Sequence, residues 1–346
     1  MFKTALMAGV AGAMLTTGSA ALAQELTTVN FIMPTPRSIL FYPMIVGEAL
    51  GYFEDEGIEI NLLPSATTVP FVAFLTNGSA DIAKLDGPQT YQALNAGIPV
   101  SVIYEAQQRA PEGIVVPGDS PITSVEELAG KTVGLVSDRD RATLEVALNA
   151  VGASIDDVST VVVGEGGPTL ANAFTRQTVD AIAGALPDWI ALQANGIEIR
   201  DITPEGVAET PANSFVILSE RKEEMQGILE GFTRAWSKGA YAASLDRDAL
   251  GAMTRQAVPE EWQQDEFGWN FIDGATPLNT PVTERYGALR SEAWEKVQAQ
   301  MIEVGELSAP VDVSTFLDDS FIGPANDFSK EEVAADLEEW KQANGM

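Results

Sequence analysis

Residues 80–88 read ADIAKLDGP, and residues 179–188 read VDAIAGALPD. Each stretch has an aspartate, a short apolar run and then a corner that contains proline. Each also follows a similar segment, Phe74-Leu75-Thr76 in the first case and Phe174-Thr175-Arg176 in the second. A short apolar run bounded by turn residues is typical of a buried strand. Because the pattern occurs twice, the sequence predicts two similar supersecondary units.

Strand and helix patterns alternate on both sides of these stretches. The first unit has predicted strands at 28–33, 58–63, 80–85 and 99–106, with helices at 44–53, 69–78 and 89–97. The second has predicted strands at 131–136, 159–164 and 179–186, with helices at 141–151, 168–177 and 188–196. The chain beyond about residue 219 is predicted to be mostly helical, with helices at 225–244, 290–305 and 330–342. This alternation predicts an α/β fold with mainly parallel sheets and helices on both faces.

A parallel sheet binds ligands beyond the carboxyl ends of its strands. If the two units present these edges to each other, a cleft forms between two lobes. The stretches APEGIVVPGD and ETPANSFVILS carry proline, glycine and asparagine between apolar runs, so we place the two crossings between the lobes there. The predicted organisation is a signal peptide at 1–23, lobe 1 at 24–110 and 218–346, and lobe 2 at 111–217.

Composition and charge exclude several classes of protein. The 346-residue chain has no cysteine and no histidine, which excludes a Ser-His-Asp triad and nearly all catalytic zinc sites. Its formal net charge of −30 opposes binding to nucleic acid or an anionic membrane surface. Lys3, the apolar run after it and Ala21-Leu22-Ala23 are typical of a secretory signal. We therefore expect cleavage before Gln24 and a periplasmic protein.

Several segments, in this order, resemble the periplasmic substrate-binding proteins of ABC importers. The similar branch includes sulfonate, taurine, nitrate and thiamine-pyrimidine-precursor binders. The segments are GEALGYFEDEGIEINLLP, FLTNGSADIAKLDGPQTYQALNAGIPV, SVEELAGKTVGLV, TVDAIAGALPDW, WEKVQAQMIEVGEL and VDVSTFLDDSFI. The resemblance implies a two-lobed periplasmic-binding-protein fold of type II, in which hinge closure traps a small solute. It also implies an ABC permease as partner, and we expect a monomer without cofactor or metal.

The resemblance also bears on enzymatic activity. Some eukaryotic relatives make the thiamine pyrimidine and supply a histidine from their own chain. A chain without histidine lacks that group, so we expect no such activity. Two alternatives remain: a ligand-binding partner of a membrane sensor, or a hydrolase that uses Asp86 and Asp188 as a carboxylate pair.

Candidate site residues follow the predicted strand ends, where the resembling proteins bind their ligands. They are Thr35, Arg37, Phe41, Tyr42, Asp86, Gly87, Tyr104, Glu105, Ser137, Arg139, Asp188 and Trp189, and none is expected to be catalytic or to bind a metal. The loop from Pro34 to Ser38 has two possible roles: its residues contact the ligand, or its two prolines only fix the shape of the loop. Asp86 accepts a hydrogen bond from ligand or caps the next helix, and Glu105 lies at the site or in a hinge.

The second lobe has equivalent alternatives. Ser137 precedes a predicted helix whose free N–H groups favour an anion, and Arg139 and Arg141 bind ligand or pair with neighbouring aspartates. Trp189 stacks on ligand or packs in the core. We favour the site for Asp188 and Trp189, since the resembling proteins carry a carboxylate and an aromatic ring at this corner. Arginines favour an anion and carboxylates favour a zwitterion or nitrogen heterocycle, so the sequence leaves the ligand open.

Overall fold

The structure is a computed structural model, and it describes residues 26–64, 70–303 and 305–346. The predicted signal peptide and its cleavage before Gln24 lie outside these residues. The described strands are β1 Thr27–Ile32, β2 Ile58–Leu62, β3 Ile82–Leu85, β4 Val100–Gln107, β5 Glu112–Pro117, β6 Thr132–Leu135, β7 Ser159–Val162, β8 Ala181–Ala185, β9 Ile199–Asp201 and β10 Asn213–Leu218.

The strands form two five-stranded sheets. The first has the order β2-β1-β3-β10-β4, and the second has the order β7-β6-β8-β5-β9. Strands that follow one another through helices pair in parallel, as β1 does with β2 and β3, and β6 with β7 and β8. Two strands next to the crossings run in the opposite direction to their neighbours in the sheet. Strand β10 is antiparallel to β3 and β4, and β5 is antiparallel to β8 and β9. The α/β prediction is confirmed, and the sheets are mixed rather than mainly parallel.

Helices cover both faces of the sheets. The described α-helices are α1 Tyr42–Ala49, α2 Tyr52–Asp55, α3 Val72–Thr76, α4 Gly87–Asn95, α5 Asp140–Ala150, α6 Gly167–Thr175, α7 Leu186–Ala194, α8 Glu205–Ala208, α9 Lys222–Leu245, α10 Arg247–Ala257, α11 Asp265–Asn279, α12 Ser291–Glu303, α13 Ile322–Ala325 and α14 Lys330–Ala343. No helix in the described part of the chain is both long and apolar enough to cross a bilayer.

Side-chain alternation along the strands builds a core on each face of the first sheet. Phe31 packs edge-on against Phe215, Phe232 and Trp236, and so joins β1 and β10 to α9. The next residue, Ile32, belongs to the cluster on the opposite face, together with Trp294 of α12. Consecutive apolar residues in these strands are therefore all buried, which is why the strands read as continuous apolar runs.

Helix α11 packs between parts of the chain that are distant in sequence. A side chain built at Gly274 would lie 2.5 Å from Leu186 of α7, so the two helices approach closely there. At its end, the Asn279 side-chain amide donates to the carbonyl of Leu40, 2.9 Å away. The sequence did not single out this helix, because Pro277 in its last turn is a residue that usually marks a helix end.

Candidate functional site

The carboxyl edges of the two sheets are joined by a short connection. Strand β4 ends at Gln107 and β5 begins at Glu112, so only residues 108–111 separate the sheets. Because β5 is antiparallel to β8, the start of β5 lies beside the carboxyl end of β8, where Glu112 pairs with Ala185. The loops after β3 and β8, which the opening repeat predicted to be equivalent, therefore both lie at the facing edges.

Asp86 and Gly87 lie at the edge of the first sheet. Asp86 Oδ1 accepts a hydrogen bond from the Gln89 N–H at 2.7 Å, which caps α4. Gly87 lies so close to α12 that a Cβ atom there would be 2.9 Å from Val297 Cγ1. Burial raises the pKa of Asp86 from 3.8 to about 6. Asp86 therefore caps α4, as one of the two alternatives predicted. A contact between Asp86 and a ligand stays a prediction.

The charged group of the loop after β1 is half-buried and paired with another residue of the chain. The Arg37 guanidinium forms a two-pronged ion pair with the Glu48 carboxylate on α1. The Thr35 hydroxyl donates to the carbonyl of Pro36 at 2.9 Å and is exposed. Ser38 donates to Glu261 at 2.7 Å. The positive charge that suggested an anionic ligand is thus neutralised within the loop's own surroundings.

The predicted anion site at the start of α5 is also occupied by the chain itself. The backbone N–H and hydroxyl of Ser137 both donate to Asp140 Oδ2, at 2.6 and 2.8 Å. Arg139 is exposed just before the helix. Arg141 donates to the hydroxyl of Thr160 at 2.7 Å, on the surface of the second sheet. A carboxylate therefore takes the place that an anionic ligand would need.

At the corner after β8, Asp188 and Trp189 start α7. Asp188 is the third residue of α7, and its Oδ2 accepts a hydrogen bond from the N–H of Ala185, the residue before the helix, at 2.9 Å. Trp189 is 8% exposed and packs in the core, with its ring beside Gly184. Burial raises the pKa of Asp188, with a further contribution from the charge of Asp140. The position of Trp189 therefore agrees with the alternative that it packs in the core.

Three other candidates are buried in the hydrophobic core. Tyr104 stacks on Phe215 with ring centroids 5.1 Å apart, and its hydroxyl lies 2.9 Å from Ser237. Phe41 is fully buried, and Tyr42 is 3% exposed at the start of α1. Strand alternation explains the position of Tyr104, since neighbouring residues of β4 point to opposite faces. The sequence located the strand ends, but the direction of each side chain required the structure.

Glu105 is held behind the hinge rather than in the cleft. Its carboxylate accepts hydrogen bonds from the Arg290 N–H and Nε at 2.7 and 2.8 Å, and from the Trp294 indole at 2.9 Å. Arg290 also donates to the carbonyls of Gln108 and Glu209, one in each segment that crosses between the sheets. These contacts agree with the alternative that Glu105 lies in a hinge.

A second group of polar side chains lines the crossing. Gln107 at the end of β4 donates to the carbonyl of Leu40 at 3.2 Å. The Asn213 amide at the start of β10 donates to Gln107 Oε1 at 2.9 Å. These bonds join both crossing strands to the segment before α1.

Glu112 is a further candidate that the sequence analysis did not name. It begins β5 at the facing edge and is exposed there; partial desolvation together with the charges of Asp86 and Asp140 raises its pKa from 4.5 to about 7. Asp86 belongs to the first sheet, whereas Asp140 follows β6 of the second. The pKa of Glu112 is therefore affected by carboxylates that belong to both sheets. In the described ranges, no three histidine, cysteine, aspartate or glutamate side chains are close enough together to hold a metal ion.

Two mixed α/β sheets with joined carboxyl edges are the architecture of periplasmic ligand-binding proteins. The periplasmic aliphatic sulphonate binding protein SsuA from Escherichia coli has a similar fold, with a TM-score of 0.64 and 16% identity over 84% of this chain and 96% of that chain. A model described as NMT1/THI5 like matches residues 39–248, which is more than half of the sequence. The chain belongs to the NMT1/THI5-like family, which confirms the resemblance.

Relatives with curated names include both a binding protein and an enzyme. The riboflavin-binding protein RibY of Chloroflexus aurantiacus is 27% identical over 312 residues, which cover 86% of each chain. A 4-amino-5-hydroxymethyl-2-methylpyrimidine phosphate synthase of Legionella pneumophila is 20% identical over 224 residues, covering 63% of this chain and 70% of the synthase. The relatives thus include proteins named for ligand binding and proteins named for synthesis. The residues of the site are the basis for choosing between these two activities.

Proposed function

We propose that this protein is a periplasmic solute receptor that closes about its hinge on a small polar organic molecule and delivers it to an ABC permease. The fold and the family support this function. The joined edges support the mechanism, because a ligand that contacts both edges stabilises only the closed form.

The chemistry of the site favours binding over catalysis. A carboxylate-pair hydrolase would need one free acid and one free base at the reacting bond. Both carboxylates are instead bonded at helix starts: Asp86 accepts the Gln89 N–H, and Asp188 accepts the Ala185 N–H. The chain also has no histidine for the histidine-supplying chemistry of some relatives.

The observation that supports the ligand class is the position of Glu112 at the facing edge, where the charges of Asp86 and Asp140 raise its pKa. Like charges held together in a protein raise each other's pKa and disfavour the unliganded state. A cationic group placed between them relieves that repulsion. At the same time, Arg37 is paired with Glu48, and Ser137 with Asp140, so neither is free for an anion. We therefore assign the ligand to organic cations and amine-bearing nitrogen heterocycles.

A thermal-shift screen of small solutes, grouped by charge, tests both parts of the proposal. Amines and protonated heterocycles should raise the melting temperature, and solution scattering should show compaction with the best of them. Glu112→Gln should weaken binding of that solute about tenfold, the effect of losing about one favourable charge interaction. Glu126→Gln, at an exposed carboxylate far from the cleft edge, is the matched control.

Three outcomes would overturn parts of this proposal. Hits confined to sulfonates and carboxylates would show that the ligand class is wrong while leaving the receptor role intact. Chemical conversion of a bound solute would show an enzyme. Failure of every small solute, or binding without compaction, would refute the receptor and its closure.

A further inference from the structure

A cavity of about 470 Å³ lies in the helical part of the chain, away from the facing edges. Its walls come from α9, α10 and α11, from the segment at 280–286 and from Tyr42 at the start of α1. None of the residues that line it belongs to the second sheet or its helices. The cavity is open to solvent on one side, where Ser244 and Thr280 are exposed, and its volume is within the range of about 300–1,000 Å³ of pockets for small organic molecules.

The walls are mainly apolar. Ala240 and Ala243 leave room on α9 where a larger side chain would fill the space, and Leu250 and Ile272 face the same cavity from α10 and α11. The rings of Tyr42 and Tyr286 add flat surfaces. Such a lining favours an aromatic or alicyclic body.

The polar groups of the cavity define what the rest of the ligand carries. The Thr276 hydroxyl donates to the Ile272 carbonyl at 2.8 Å, and the Ser244 hydroxyl donates to the Tyr241 carbonyl at 2.6 Å. Each hydroxyl has therefore used its proton. Thr276 also bonds the Tyr42 hydroxyl and Ser244 the Tyr286 hydroxyl, so each keeps one lone pair as an acceptor. These groups suit a ligand with a hydrogen-bond donor.

The charges near the cavity cancel. Arg247 and Asp273 form two hydrogen bonds of 2.9 Å, and both side chains are about half exposed. A paired arginine and aspartate present no net charge to an occupant, so the site has no electrostatic preference for an ion. This distinguishes it from the acidic edge between the sheets.

We propose that this cavity is a second small-molecule site, which takes a compact, uncharged aromatic or alicyclic molecule with one hydrogen-bond donor. The occupant packs between Ala243 and Ile272 and donates to a hydroxyl of Ser244 or Thr276. It also contacts α11, the helix that touches α7 through Gly274. The site is therefore separate from the solute cleft but rests on a helix that contacts the second lobe.

The test uses 2-naphthol as the probe and protein with ¹³C-labelled alanine, isoleucine and leucine methyl groups. Addition of 2-naphthol should shift the resonances of Ala243, Leu250 and Ile272 in a saturable manner. Ala243→Phe places a ring in the cavity and should abolish these shifts. Leu245→Phe adds a ring at an exposed position of the same helix and should leave them unchanged.

The proposal is wrong if these methyl groups do not respond to 2-naphthol, if only methyl groups at the facing edges such as Leu186 respond, or if Ala243→Phe binds normally. Circular dichroism shows whether Ala243→Phe is folded. Should it be unfolded, Thr280→Leu narrows the cavity from an exposed position and replaces it in the comparison. Retained binding in that variant refutes the site in the same way.

Discussion

Replacing Lys84 with methionine should stabilise the protein, and the gain should be largest at low pH. Lys84 lies on β3 and is fully buried, and within the described part of the chain its Nζ has no hydrogen-bond partner. The Nζ atom lies 3.5 Å from the ring centroid of Phe41 and 4.9 Å from that of Trp236. Burial lowers the pKa of this amine well below its usual value of 10.5.

The magnitude follows from the amine's surroundings. An unsatisfied buried donor costs about 1–3 kcal/mol, and methionine fills similar space without one. Protonation adds a second effect, since the unfolded chain binds a proton at Lys84 that the folded protein does not. The wild-type unfolding free energy therefore rises with pH by up to about 1.4 kcal/mol per unit between the folded pKa and 10.5. Lys84→Met loses this dependence, so its advantage shrinks as pH rises.

Urea unfolding of the wild type and Lys84→Met at several pH values measures both effects. Lys238→Met is the matched control, because its amine also lies over a ring, 3.8 Å from the Tyr52 centroid, yet remains partly open to solvent. The control should show no comparable gain. If Lys84→Met is destabilised at every pH, the buried amine is charged and its contacts with Phe41 and Trp236 are net stabilising, and the reasoning fails.

Three further predictions concern the site and hinge. Arg290→Met should lower the unfolding free energy by about 3–5 kcal/mol, because it leaves the buried Glu105 carboxylate unpaired; a loss below about 1 kcal/mol in urea would contradict this. Trp189→Ala should lower the unfolding free energy by about 3–5 kcal/mol, as expected for a core tryptophan. A variant of near-normal stability would favour the alternative that Trp189 stacks on the ligand. The folded pKa of Glu112, about 7, exceeds its usual 4.5, so the stability that this group contributes at low pH is lost as pH rises through about 7. Glu112→Gln should flatten that part of the pH–stability curve, and an unchanged curve would show that the carboxylate is not perturbed.

The sequence predicted the elements of the fold better than their directions. The apolar run at Ile82–Leu85 was predicted as a strand, and the helix after it begins at Gly87 as the Asp86 cap suggested. Hydrophobic pattern shows that a strand is buried but not which strands are its partners. The antiparallel position of β10 between β3 and β4 therefore required the structure.

Prediction of the site was limited by side-chain direction. Strand ends located Asp86 and Asp188 at the facing edges, because the edge follows from topology alone. Tyr104 and Glu105 were placed there by the same reasoning, although their side chains contact Ser237 and Arg290. Glu112 was missed because its stretch was interpreted only as a crossing. Its signal was the antiparallel pairing with Ala185, which depends on contacts between residues distant in sequence.

The place of β10 in the first sheet has a consequence for the order in which the chain acquires structure during synthesis. All the strands of the second sheet are contiguous, from Glu112 to Asp201, whereas the first sheet waits for residues 213–218 to fill the gap between β3 and β4. Until then β3 and β4 each expose an unpaired edge, and Phe31 lacks the rings of Phe215, Phe232 and Trp236. The amino-terminal strands, although made first, therefore belong to the part of the molecule that is completed last.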